Sequence, residues 1–251
     1  MTNPKEFRGG APSRGQTPPI IQLPVVVWAV LGLLLAVQVV LALGGEGWVM
    51  WTNYLFAFIP ARFGPDPFPQ APGSAWWSMF TYGLLHADWM HLGTNALWLA
   101  IFSKPVEARL GAGRYLALFT ISVIAGAVAS LIVHWGQNII MVGASAGVSG
   151  VLAAAIPLMH GRFDAISLRP GDGLRPLRPM EILQDRRALT FTLVWLGLTL
   201  ITASSQYVNG QAFVEQRVVA WDAHLGGFIA GFIAFYLLDA TRARKPVHTL
   251  H

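Results

Sequence analysis

Six stretches of the chain are apolar over lengths that suit a bilayer core of about 30 Å. They run roughly Val25–Leu43, His86–Phe102, Tyr115–Val133, Ile139–Met159, Ala188–Ala203 and Val218–Leu238. Read as spans, they predict an all-α, polytopic bundle of six transmembrane helices. His91 and Asn95 interrupt the second and the fifth is short, so these two define their spans least sharply. Two polar inserts separate the spans. The outer one, about Gly44–Trp77, carries Trp48, Trp51, Trp76 and Trp77 among several prolines and suits an interfacial structure at headgroup level. The other, about Gly161–Arg187, has Arg-Pro repeats and a Gly-Asp-Gly turn and reads as a loop. Residues 1–20, polar and rich in Pro and Gly, are expected to be a disordered tail, followed by one membrane domain over 21–241 and a second tail over 242–251. A full-length span without a small-residue cleavage site follows the first tail, so no removable signal peptide is expected.

Composition agrees with a bilayer as solvent. At 54% hydrophobic and 12% charged, the 251 residues hold too few polar groups to cover a soluble surface. Charge then orients the spans. With six crossings and the N-terminus inside, 15 of the 17 basic residues fall on inner segments and only Arg62 and Arg217 outside. Removing or adding one span would mix the two groups, so the asymmetry predicts an N-in, C-in, multi-pass protein. A bacterial inner membrane is the expected location. The basic balance is therefore topogenic, and no nucleic-acid partner is expected. With no cysteine, disulfides and thiolate chemistry are excluded.

Strongly polar side chains inside a span each need a partner or a purpose, since a charge at the centre costs about 2.5–3.5 kcal/mol. Nearly all of them lie on the even-numbered spans: His86, His91 and Asn95; Ser145 and Ser149; Asp222 and His224. These three spans descend in the same direction, so position along each converts to depth. Ser145 lies six residues after Ile139, His224 six after Val218 and His91 five after His86. At about 1.5 Å per residue this predicts one layer some 8–9 Å below the outer start.

That layer holds the parts of acyl transfer. A serine hydroxyl becomes a nucleophile when an imidazole takes its proton and later returns it to the leaving amine, which assigns Ser145 and His224. The oxyanion needs fixed donors, and His91 and Asn95, one helical turn apart, share a face that can supply them; His86 lies on a nearby part of that surface. Taken singly, each residue has a plainer role: small residues pack helices, a membrane serine bonds back to its own helix, and a histidine or asparagine can join two helices. Their common depth favours chemistry. Zinc hydrolysis would want His-Glu-x-x-His, which no span carries, so no metal and no cofactor is expected. An aspartyl pair would need two mid-span acids, and a transporter would place its charges near the midplane. Asp222, two residues or about 200° from His224 on a helix, faces away from it.

These residues resemble the rhomboid protease family from about Trp76 to Ala240. The matching segments, in order, are His86-Ala-Asp-Trp-Met-His91-Leu-Gly-Thr-Asn95, Glu107-Ala-Arg109-Leu-Gly111, Gly143-Ala-Ser145 with Gly150, and Ala223-His224-x-x-Gly227-x-x-x-Gly231. The resemblance implies a Ser–His dyad without an acid and an oxyanion site from His91, Asn95 and the Ser145 backbone N–H. It also implies transmembrane segments of other proteins as substrates, and structural roles for Glu107 and Arg109. A non-catalytic rhomboid-like protein that binds membrane clients is the alternative. The chain departs from the family at two places. The usual Gly-x-Ser-Gly is broken by Ala146, while a literal Gly147-Val-Ser149-Gly150 follows. The family's small or aromatic residue and then glycine, four and five places after the nucleophile, fit Ser145; choosing Ser149 would put Ala153 and Ala154 there. Ser149 then stands where some members place a tyrosine beneath the histidine. The family's Trp-Arg in the first outer loop is here Trp77-Ser78.

Overall fold

The computed structural model describes residues 23–66, 69–162, 175–208 and 220–241, with side chains of 202–208 outside that description. The two predicted tails and the Gly-Asp-Gly turn lie outside the described residues. Eight α-helices follow in order: α1 Val25–Phe56, α2 Ser74–Thr81, α3 Trp89–Leu110, α4 Ala112–Val133, α5 Ser145–Met159, α6 Pro179–Gln184, α7 Arg186–Val208 and α8 Trp221–Ala240. Among the described residues there is no strand, only the isolated bridges Phe58–Met141 and Arg162–Arg175. By length and composition α1, α4 and α8 can each cross a membrane, and α5 is a shorter apolar helix. The chain is an integral, multi-pass helical membrane protein. The remaining long helices are more polar than their apolar cores: α3 takes in Lys104, Glu107 and Arg109, and α7 opens on Arg186-Arg187.

Helix boundaries differ from the apolar runs where backbone geometry intervenes. α1 consists of two helical arms joined at a kink: Gly45, at φ 74° and ψ −179°, is not helical, a conformation glycine adopts at little cost, and a second arm follows it to Phe56. The second arm of α1 carries Trp48 stacked on Trp51 at 5.2 Å. The rest of the outer insert folds back onto the end of that arm. Trp77 Nε1 donates to Leu55 O at 2.7 Å and Thr81 Oγ1 to Phe56 O at 2.8 Å. The Arg62 guanidinium donates to Ala57 O at 2.8 Å and to Tyr54 O, and its burial pulls its pKa below the usual arginine value.

At the C-terminal end of α3, Arg109 meets Asp239 through two parallel bonds, Nε–Oδ1 at 2.8 Å and Nη2–Oδ2 at 2.9 Å, tying α3 to the end of α8. Arg175 grips Glu181 in the same forked way. With the Arg178 N–H as a further donor, that grip holds the Glu181 carboxyl down at about 2.

The centre of the bundle is α8 packed on α4 and α5 through small residues. A methyl at Gly226 would stand 2.8 Å from Ala125 O, one at Gly227 would overlap Ala146 O, and one at Gly231 would overlap the Gly150 backbone. These contacts bring the backbones of α5 and α8 together over two successive turns, which only glycine permits.

Candidate functional site

The site lies where α3, α5 and α8 begin. Displacements of six residues for Ser145 and His224 and five for His91 from their span starts are expected; instead, the described approaches to α3 and α5 are not helical. Residues 139–144 precede α5 as an extended segment whose Met141 exchanges both backbone bonds with Phe58, at 2.9 and 3.1 Å. Gly143 then turns at φ 126°, so the helix opens on Ser145 itself. Likewise His91 is the third residue of α3 and His224 the fourth of α8. The depth arithmetic is therefore corrected: each of the three residues occupies the first turn of its own helix. First-turn N–H groups lack intrahelical partners and carry the positive end of the helix dipole.

The Asp88 side chain caps α3, accepting from the His91 N–H at 2.8 Å. His91 packs edge-on against His86, with ring centroids 5.1 Å apart. Gly143 stands between this ring and the serine. A methyl placed on it would lie 2.7 Å from His91 Nε2 and 3.7 Å from Ser145 Oγ, so the ring packs against the glycine in the space a side chain would need, with the serine hydroxyl beside it. Asn95 lies one turn below His91 on the buried face of α3, and its Nδ2 has no hydrogen-bond partner among the described residues. His86 is buried beside the Leu84 backbone, and among the described residues neither ring nitrogen makes a well-formed hydrogen bond.

α8 closes the other side. With Gly227 on Ala146 and Gly231 on Gly150, the turns carrying Ser145 and His224 lie at the N-terminal end of the same contact. Among the described residues the two side chains make no hydrogen bond to each other; such bonds are commonly long before substrate arrives. His91 and Asp222 are both near enough to act electrostatically on the His224 ring. Ser145 and His224 are each only partly buried. Ser149 behaves differently: its hydroxyl donates to Ser145 O at 2.8 Å, one turn back on its own helix.

The structure thus brings His86, His91 and Ser145 together near Gly143, with Asn95 one turn further along α3 and His224 in the first turn of α8. Asp222 points elsewhere, toward His134 at the end of α4, with Nε2 3.5 Å from its carboxylate. Sequence reasoning singled out neither His134 nor Tyr82. The buried Tyr82 hydroxyl donates to Val123 O at 2.7 Å, and a methyl on the neighbouring Gly126 would lie 3.0 Å from Ala223 O. Neither residue belongs to a motif, and both act through contacts across the bundle. A family model described as Rhomboid domain matches residues 73–240, more than half of the chain.

Proposed function

The chain belongs to the rhomboid family, whose members are in general intramembrane serine proteases, and from that premise we propose that Ser145 and His224 form the dyad of such an endopeptidase. The observation that carries the reading is the close approach at Gly143, where the absence of a side chain lets the His91 ring pack beside the Ser145 hydroxyl at the start of α5. Ser145 Oγ attacks the scissile carbonyl while His224 takes its proton. The oxyanion accepts hydrogen bonds from His91, from Asn95 Nδ2 and from the Ser145 backbone N–H, with the positive end of α5 adding to the field. His224 then protonates the leaving amine, and water, deprotonated by the same imidazole, releases the acyl group from Ser145. The unpartnered Asn95 Nδ2 supports this role, since a buried donor without a partner is ready for one that forms during reaction.

The proposed frame is the six-span, N-in, C-in topology, with the site facing outward and a transmembrane helix of another protein as substrate. No cofactor takes part in these steps. Ser149 is assigned a structural role because its hydroxyl is already engaged within α5.

Fluorophosphonate labelling and cleavage of a model transmembrane substrate test the assignment together. Ser145→Ala should abolish both, and Ser149→Ala should leave labelling within about threefold, having lost one hydrogen bond worth about 0.5–1.5 kcal/mol. Loss of both activities in Ser149→Ala alone would move the nucleophile one turn down. An unlabelled wild type, with client binding unaffected by His224→Ala, would favour the non-catalytic reading.

A further inference from the structure

The outer ends of α4 and α8 hold an ionisable pair that the chemistry above does not use. The Asp222 side chain is 1% exposed, and neither carboxylate oxygen has a hydrogen-bond partner among the described residues. A buried carboxylate is costly unless something opposes its charge. Two features do so here: Asp222 lies in the first turn of α8, at the positive end of the helix, and His134 Nε2 stands 3.5 Å away across the α4–α8 contact. The other ring nitrogen of His134, Nδ1, faces Gln137 Oε1 at 3.1 Å, which orients the ring.

Asp222 and His224 project from nearly opposite sides of α8, about 200° apart. Anything holding Asp222 toward α4 therefore holds His224 toward α5. Farther down, the glycine contacts set the rotation of α8: Gly226 against Ala125 and Ala129, and Gly227 against Ala146. In the first turn the polar tie is Asp222–His134. A side-chain atom about 6 Å from the helix axis moves roughly 1 Å for each 10° of rotation, and an error of about 1 Å can cost on the order of 100-fold in rate.

We propose that Asp222 and His134 are positioning residues whose pairing ties the first turn of α8 to the end of α4 and so fixes the rotation at which His224 is presented to Ser145. The inference rests on the Ser145–His224 reading. Neither residue of the pair touches substrate.

The test is a double-mutant cycle in the full-length protein in liposomes, reading kcat and KM for a model transmembrane substrate and the fluorophosphonate labelling rate per folded molecule. Asp222→Asn and His134→Ala should each lower kcat about 10- to 100-fold with KM within about threefold, and the double variant should lose no more than either single one. The exchanged pair, Asp222→His with His134→Asp, should recover at least about fivefold. Wild-type kcat in either single variant would overturn the proposal, as would losses that multiply in the double variant. A loss that follows only the folded fraction would also overturn it. If the exchanged pair does not fold, the two singles and their double decide alone. Labelling that persists in Ser145→Ala would instead refute the underlying nucleophile assignment, independently of the cycle.

Discussion

Replacing Gly231 by alanine tests whether the approach of α5 and α8 sets both stability and the proposed chemistry. The added methyl would stand 2.6 Å from Gly150 O and 2.7 Å from Gly150 C, with Gly150 Cα nearer still. Carbon atoms rest at about 3.5–4.0 Å, so the two backbones must separate by about 1 Å. No side chain can swing away, because every atom met is backbone. Overpacking of this kind costs about 1–3 kcal/mol. The same separation moves the Ser145 turn from the His224 turn, and a displacement of about 1 Å is worth roughly 100-fold in rate. Gly231→Ala should therefore lower thermal stability in detergent, and should slow fluorophosphonate labelling even in the fraction that remains folded. Gly32→Ala is the control: its added methyl meets nothing within 4 Å on an exposed face of α1. It should leave labelling unchanged and stability equal or higher by up to about 1 kcal/mol. Wild-type labelling and stability in Gly231→Ala would refute the idea that this contact holds the two helices in register.

Two further expectations separate stability from activity. Asn95→Leu removes a buried amide whose nitrogen has no partner, so it should leave thermal stability equal or raised, while labelling falls about 100-fold for want of one oxyanion donor; a stable variant with full labelling would deny Asn95 that role. Glu181 in α6 has its folded-state pKa depressed from 4.5 to about 2 by the Arg175 fork and the Arg178 N–H. Its contribution is thus complete above about pH 4.5 and lost as pH falls toward 2. Hydrogen exchange at the bridged Arg162 and Arg175 amides should quicken over that window in the wild type and be fast at every pH in Glu181→Gln.

The positions of α1, α4 and α8 were legible because uninterrupted apolar runs map directly onto helices in lipid. So were the residues that now surround Gly143, since polar groups in such runs have few other reasons to be there. The helix starts that place these residues were not legible. Nothing in the apolar pattern of 139–144 marks it as extended rather than helical, because the pairing of Met141 with Phe58 is a contact across 83 residues. The break after Leu43 was legible in the Gly44-Gly45 pair, where the backbone leaves the helix at Gly45; what the pattern hid is that a second helical arm follows it. Asp222 was correctly turned away from His224 by helical geometry alone. Its partner His134 was invisible, for no local pattern joins the end of one helix to the start of another ninety residues later.

The contact of α8 with α5 also has a consequence for biosynthesis. Ala146 and Gly227 lie 81 residues apart and Gly150 and Gly231 the same, so this closure is among the late ones as the chain emerges. While the earlier helices enter the membrane, the serine is present but its proposed base has not yet been made. Hydrolytic competence would thus arrive with the final helix, and a growing chain surrounded by other unassembled membrane segments would pass through translation without being able to cut them.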